Sequence, residues 1–389
     1  MRLLKLIALL FALCLSACTS LTDFRDDMSE RLFGRESNEV PSDLTEFKST
    51  TQAKVLWNTH LGSSEDTDFT PAIDNGFVYA ASANGEIVKL KATDGNQIWR
   101  IDSGEPLTGG VGIGTNLILL GTAKGYVLAY NFDGKLLWKS KVSSQVLSAP
   151  RFDYGVVVVR CEDSRIYGLN GADGARKWVY ERASPALTLK SSAGVVLDGG
   201  AAYAGFAGGK MIALRVEDGK VIWEVSVAQP KGTTEIERIA DITSLPFVDG
   251  PLVYAVAYQG KVAAVDRATG RIAWSRDISS YSGLNAEDAR IFVSHANSAI
   301  YALDYSSGKT FWRQGDLRQR RVTAPLPMGS LIAVGDVEGY VHLLNREDGA
   351  FAARVQTEDA AIMPQMVALG TSTVIAQNRK GGIYAISIK

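Results

Sequence analysis

The sequence predicts an all-β fold, an eight-bladed β-propeller with four antiparallel strands per blade, and three observations favour this fold class. A motif ending in D-G-x-x-x-W, first seen in residues 85–99, recurs at a period in the low forties, which is typical of a propeller blade. Within each copy apolar side chains alternate as in strands, and Asp-Gly or Ser-Gly pairs supply tight hairpins. Each end of the chain holds part of a blade, so the N-terminal strand is expected to close the last blade.

The third strand of the repeat sets the number of blades. Copies of the type G-x-I-Y-A-L begin at residues 85, 125, 164, 209, 260, 298, 339 and 381, which gives eight. The chain ends at Lys389, directly after the eighth copy, whereas residues 54–57 have the pattern of a fourth strand with no third strand before it. We therefore expect residues 54–389 to form the propeller, with this N-terminal strand closing the ring.

The Trp residues follow the same period, with steps of 42, 39, 40, 45, 51 and 38 residues. Since each lies at the same place in its blade, they are spread around the ring, which favours structural docking over an aromatic cage. We expect each to pack between adjacent blades and to donate its indole N–H to a backbone carbonyl. The seventh copy has Ala353 instead, a local weakness that Phe351 is expected to fill. The docking residues are Trp57, Trp99, Trp138, Trp178, Trp223, Trp274 and Trp312.

The first residues of the chain have the pattern of a cleaved signal peptide, which we assign to residues 1–17. Arg2 and Lys5 precede a short apolar run of about ten residues, whereas a bilayer-spanning helix needs roughly 20. The signal is therefore expected to be removed from the mature protein.

The signal closes on L-S-A-C, in which the last residue is Cys18, and this sequence resembles the lipobox of bacterial lipoproteins. The resemblance implies that Cys18 becomes the N-terminal residue and carries acyl chains, which anchor the protein to a membrane. Thr19 in place of Asp implies the outer membrane, on its periplasmic side. Residues 18–53, charged and without a sustained apolar period, are then a lipidated tether. The alternative is an ordinary secretory signal with an incidental Cys.

The composition offers little for chemistry or for nucleic-acid binding. The net charge of −1 gives no reason to expect a nucleic-acid partner, and the three His show no metal-ligand spacing, so neither a metal nor a cofactor is expected. Cys161, beside an apolar run, is expected to be a buried and inert thiol. The acidic pairs at 162–163 and 287–288 lie at hairpin turns, where solvated charges are the ordinary explanation.

The D-G-x-x-x-W repeat resembles the tryptophan-docking repeat of the quinoprotein alcohol dehydrogenases, most closely in residues 268–274. That resemblance covers the fold of everything after residue 54, but the sequence lacks the vicinal Cys pair of those enzymes and is much shorter. A dehydrogenase-like enzyme that uses pyrroloquinoline quinone is therefore one alternative function. A periplasmic propeller that binds a sugar or peptide in its central channel is another.

The whole chain resembles the BamB family of outer-membrane protein assembly lipoproteins. Besides the lipobox, tether and eight blades, residues 185–190 and 233–243 match that family's L-x-L-[RK] and S-T-E-I-x-R-x-x-D-V-D segments. The resemblance implies a non-catalytic scaffold of the outer-membrane β-barrel assembly (BAM) complex, monomeric within it, beside other BAM lipoproteins. It also implies binding to the periplasmic POTRA domains of BamA. Pairing of an unfolded outer-membrane protein client with an exposed blade edge is a further hypothesis.

Carried over by position, the partner-binding residues of this family fall on two segments. Lys190 stands where Arg is common and Thr243 where the family has Asp, so one acidic contact is in doubt. The alternative is that the two leucines face the blade core. A basic loop at 318–321 is interpreted either as a solvated loop or as a surface that steers an acidic partner. The partner-binding candidates are Leu187, Leu189, Lys190, Asp241 and Thr243.

Overall fold

The structure, a computed structural model, describes residues 40–64, 66–363 and 365–389. The predicted signal peptide, Cys18 and most of the predicted tether lie outside the described residues. Among the residues described, no helix is both long and apolar enough to cross a membrane. Their only helical element is a 3-10 turn at Ala207–Gly209.

The described strands form eight four-stranded antiparallel sheets, in agreement with the predicted propeller. Blade one comprises β2 (Ala72–Asp74), β3 (Phe77–Ala81), β4 (Glu86–Lys91) and β5 (Gln97–Asp102). Blade two comprises β6 (Leu107–Gly114), β7 (Leu117–Thr122), β8 (Tyr126–Tyr130) and β9 (Leu136–Lys141). Blade three comprises β10 (Arg151–Asp153), β11 (Val156–Arg160), β12 (Ile166–Asn170) and β13 (Arg176–Tyr180). Blade four comprises β14 (Val195–Asp198), β15 (Ala201–Phe206), β16 (Lys210–Arg215) and β17 (Val221–Ser226).

The second half of the chain repeats this arrangement. Blade five comprises β18 (Phe247–Asp249), β19 (Leu252–Val256), β20 (Val262–Asp266) and β21 (Ile272–Arg276). Blade six comprises β22 (Gly283–Glu287), β23 (Arg290–Ser294), β24 (Ile300–Asp304) and β25 (Thr310–Gln314). Blade seven comprises β26 (Leu326–Met328), β27 (Leu331–Gly335), β28 (Tyr340–Asn345) and β29 (Phe351–Gln356). Blade eight comprises β30 (Val367–Leu369), β31 (Thr373–Gln377), β32 (Gly382–Ile388) and, from the other end of the chain, β1 (Ala53–His60).

The N-terminal strand closes the ring, as the unmatched fourth-strand pattern predicts. β1 pairs antiparallel with β32, from Ala53 opposite Ile388 to His60 opposite Gly382. Every residue of β32 is buried, whereas the side chains of β1 face alternately inward and outward. The last sheet therefore depends on both ends of the chain.

Each Trp docks onto the next blade around the ring. The indole Nε1–H donates to a backbone carbonyl there at 2.8–3.1 Å, for example from Trp57 to Ala92 and from Trp312 to Arg346. The indole ring of each Trp lies near the hairpin glycine of that blade. A Cβ built on Gly95, for example, would come within 2.7 Å of the Trp57 indole. Gly95 also has φ +71°, so the Asp-Gly pair serves both the hairpin and the docking of the neighbouring Trp.

Blade seven, which has Ala353 in place of Trp, is covered by the segment Ser42–Gln52, here called the strap. Phe351 does fill space there, but it stacks on Phe47 of the strap, with ring centroids 5.2 Å apart. The amide of Thr50 donates to the Ala352 carbonyl at 2.9 Å. Residues from Ser42 onward thus already belong to the compact unit that contains the ring.

The predicted basic loop at 318–321 is not simply a solvated or steering surface. Arg320 is only 1% exposed. Its guanidinium donates to Asp336 at 2.7 Å, to Glu338 and to the Ser42 carbonyl of the strap at 2.6 Å. The interpretation of Arg320 as a surface cation is wrong, because its guanidinium forms ion pairs with Asp336 and Glu338 of blade seven.

Candidate partner-binding site

The predicted partner-binding residues all lie on one face of the ring. In an antiparallel four-stranded blade, the loops from strand four to the next blade and the loops between strands two and three lie at the same end. The segment 185–190 joins β13 to β14, and residues 233–243 join β17 to β18. We call this end of the ring the loop face.

Leu187 is exposed on the loop face, and it is not part of the blade core. Its side chain is 43% exposed, while Leu189 is half-buried and Lys190 is exposed. The two leucines therefore differ: one projects outward, and the other faces a pocket described below. An exposed Leu beside a cation is the kind of pair that anchors a protein interface.

Asp241 holds the Leu187–Lys190 segment in place. It is 3% exposed, and its two carboxylate oxygens accept hydrogen bonds from the backbone amides of Leu189, at 2.8 Å, and Gly208, at 3.0 Å. Each oxygen therefore already has a donor within the chain. The geometry gives Asp241 a positioning role beneath the exposed segment.

Thr243 ties the same two loops together. It is 9% exposed; its hydroxyl donates to the Tyr281 carbonyl at 3.2 Å, and its own carbonyl accepts from Ser191 at 3.3 Å. Together with Asp241, Thr243 links the segment before blade four to the insertion before blade five. The structure thus brings the five predicted residues together. Leu187 and Lys190 are exposed, Asp241 and Thr243 are buried supports, and Leu189 is half-buried between them.

A second exposed apolar residue, Ile236, was missed by the sequence analysis. It is 67% exposed on the insertion. The turn beneath it is fixed by Glu237, whose carboxylate accepts from the Thr233 and Thr234 amides while the Glu237 amide donates to the Thr234 hydroxyl. These bonds lower the pKa of Glu237 to about 2. The signal was available, since Ile236 is an apolar residue in a run of Thr, Glu and Arg.

A pocket of about 190 Å³ opens on the loop face beside the exposed segment. Its lining includes Arg160 at the end of β11, Cys161, Leu189, Lys190 and Asp241. Burial is the main cause that raises the pKa of the Cys161 thiol to about 11, so this Cys is a poor nucleophile at neutral pH, as predicted. The described residues hold no group of three or more His, Cys, Asp or Glu that could bind a metal ion.

The mouth of the central channel is bridged on the loop face. Asp68, which precedes blade one, accepts a hydrogen bond from Ser192, which precedes blade four, at 2.8 Å. Arg379 of blade eight donates to the same carboxylate at 2.6 Å. Blades eight and one are neighbours, but Ser192 precedes blade four, so its bond to Asp68 joins parts of the ring that are three blades apart.

Comparison with known proteins points to the same family as the sequence resemblance. A family model described as "Outer membrane protein assembly factor BamB" matches residues 48–105 and 83–314. The outer membrane protein assembly factor BamB of Nitrosomonas eutropha is 40% identical over 392 residues, covering 100% of this chain and 96% of that protein.

Solved structures give the same picture at the level of the fold. The crystal structure of BamB from Moraxella catarrhalis is similar with a TM-score of 0.80 and 26% identity, covering 86% of this chain and 100% of that chain. Quinohemoprotein alcohol dehydrogenase from Comamonas testosteroni has a TM-score of 0.66 but 12% identity, covering 86% of this chain and 76% of that chain. The second likeness shows the propeller fold alone. The family model and the full-length relative show that the chain belongs to the BamB family of outer membrane protein assembly factors.

Proposed function

We propose that this chain is a non-catalytic scaffold lipoprotein of the BAM complex, which binds the POTRA domains of BamA through its loop face. In that role it assists the folding and insertion of outer-membrane proteins. The observation that carries the proposal is the exposed Leu187 beside Lys190, on a segment held rigid by Asp241, in a member of an assembly-factor family. A preordered surface loses little entropy on binding, which favours a scaffold.

The two exposed apolar side chains give the surface its anchors. Leu187 and Ile236 stand on the two loops that Asp241 and Thr243 link. Ile236 lies between Glu235 and Glu237, and Leu187 lies near Thr188 and Lys190, so polar groups border both anchors, as at the polar rim of an interface. The non-catalytic interpretation is supported by the assembly-factor relatives and by the raised pKa of the Cys161 thiol.

Leu187→Arg should weaken binding to a purified POTRA array of BamA from the same organism by about 30-fold or more, because it places a charge at a desolvated anchor. Isothermal titration calorimetry with the lipid-free chain measures the affinity. The matched control is Leu136→Arg, since Leu136 is 46% exposed on β9, a fourth strand outside the loop-face segments. Both variants should keep the wild-type circular dichroism and melting temperature. Equal affinity of Leu187→Arg and wild type would remove this residue from the interface.

The lipid anchor is a second part of the proposal, supported by the lipobox that ends at Cys18. Cys18→Ser should move the protein from the outer-membrane fraction to the soluble periplasmic fraction, because no acyl chains can be attached. Cell fractionation with immunoblotting measures the distribution. Cys161→Ser is the control, since this buried thiol should leave the distribution unchanged. Retention of the Cys18→Ser variant in membranes would sink the assignment.

A further inference from the structure

The pocket on the loop face has a half-buried cation in its wall. Arg160 lies at the end of β11, where its guanidinium donates to the Ala193 carbonyl at 2.8 Å and lies 4.9 Å from the Phe206 ring centroid. A guanidinium has five N–H groups. Within the described residues, the bond to Ala193 is the one hydrogen bond that this guanidinium makes. Several donors therefore face the pocket without a protein acceptor.

No carboxylate of the chain forms an ion pair with Arg160 in the described structure. Asp241 lies near enough to raise the pKa of Arg160, but its two carboxylate oxygens accept hydrogen bonds from the Leu189 and Gly208 amides. Burial lowers the pKa of Arg160 to about 10, and Asp241 raises it only in part. The group is still charged at neutral pH, so it is a partly desolvated cation with no carboxylate in direct contact.

Three other half-buried or buried arginines have carboxylate partners, whereas the half-buried Arg354 donates to His342 and to the Thr45 carbonyl. Arg320 pairs with Asp336 and Glu338, Arg346 with Glu287 and Asp288, and Arg182 with Glu224. A partly buried charge without a carboxylate partner has lost some of its hydration, which makes Arg160 a site that an acceptor from outside would stabilise.

We propose that the Arg160 pocket receives the carboxylate of an Asp or Glu side chain from the protein that docks on the loop face. This inference rests on the proposed function, since the rim of the pocket is the docking segment itself, through Leu189 and Lys190. The guanidinium can hold a carboxylate through two parallel hydrogen bonds, and Lys190 adds a second cation at the mouth.

The size and charge of the pocket fit such a side chain. A liquid water occupies about 30 Å³, so a pocket of about 190 Å³ holds several waters or one short acidic side chain. The lining carries Arg160 and Lys190 against Glu162 and Asp241. Glu162 is exposed and Asp241 is held by backbone amides, so the attraction inside the pocket comes from Arg160.

Arg160→Met should reduce affinity for the POTRA array by about 30-fold or more, because the incoming carboxylate would be buried without its partner. Arg160→Lys should lose less, since it keeps the charge but not the fork. Arg182→Met is the matched control: Arg182 also lies over the Phe206 ring, at 5.7 Å, but it is already paired with Glu224 and should leave the affinity nearly unchanged. Calorimetric titration of the lipid-free chain measures all three, and melting temperatures report the fold. If the Met variant does not fold, the Lys variant carries the test.

A double-mutant cycle identifies the incoming group. Asp and Glu residues of the POTRA array are changed one at a time to Ala, and one of these changes should lose as much affinity as Arg160→Met and lose nothing more in the Arg160→Met background. Absence of any coupled acidic residue overturns the proposal. Wild-type affinity of Arg160→Met, together with weak binding of Leu187→Arg, also overturns it but leaves the docking surface intact. Wild-type affinity of both variants contradicts the docking surface itself.

Discussion

A chain that begins at Leu61, and so lacks β1, should not fold into a stable ring. β1 supplies the fourth strand of blade eight, and its Trp57 is 8% exposed and bonded to the Ala92 carbonyl of blade one at 3.0 Å. Without it, β32, buried along its whole length, becomes a long apolar edge. Such an edge pairs readily with other chains, so we expect aggregation as well as loss of the cooperative unfolding transition.

The comparison that tests ring closure uses two other starting points. A chain that begins at Ser42 keeps the strap and β1, and it should melt like a longer chain that begins at Thr19. A chain that begins at Gln52 loses the rest of the strap but keeps β1 and the paired backbone bonds of Gln52 with Lys389 at 2.9 and 3.1 Å. We expect it to be moderately less stable in calorimetry and monomeric in gel filtration. A cooperative transition of the Leu61 chain at the wild-type temperature would contradict the role of β1.

The fold could be predicted from the sequence because its signals repeat. Eight third strands and the unmatched segment at residues 54–57 fix both the number of blades and the closure of the ring. In β1 the period of two also settles which side chains face inward. The docking of Trp57 against Gly95 follows the same repeat, although only the structure shows why the glycine needs both its φ and its lack of a side chain.

The site could be predicted only as a location. Loops have no period, so the segment 185–190 gives no indication that Leu187 is exposed while Leu189 faces a pocket. Asp241 is acidic in sequence, but its oxygens are used by backbone amides that come close only in the folded chain. Arg160 was missed because it ends an ordinary blade strand, and only the folded chain shows its single hydrogen bond and its place in the pocket wall.

The buried charges of blade seven could not be predicted from the sequence either. Arg320 and Asp336 are buried, although both lie in charged loop segments that are typical of an exposed surface. Asp336 is fully buried and accepts from Arg320 at 2.7 Å and from His342 Nε2 at 2.9 Å. His342 Nδ1 accepts from Arg354 at 3.1 Å, which fixes the neutral imidazole with its proton on Nε2. Burial alone would raise the pKa of Asp336, but the hydrogen bonds from His342, Tyr340 and Arg320 hold it below its usual value. The carboxylate is therefore the charge that balances Arg320.

Asp336→Asn should lower the free energy of unfolding by about 3–5 kcal/mol, because it keeps the shape but leaves Arg320 as a buried cation without its inner partner. Glu338→Gln is the matched control at the same guanidinium: the side chain of Glu338 is 44% exposed, and its loss should cost about 1 kcal/mol or less. Urea unfolding followed by circular dichroism measures both. Equal destabilisation by the two variants would mean that Asp336 is not the main counter-charge of Arg320. Since Arg320 also donates to the Ser42 carbonyl, Asp336→Asn should make the strap more sensitive to proteolysis than Glu338→Gln does.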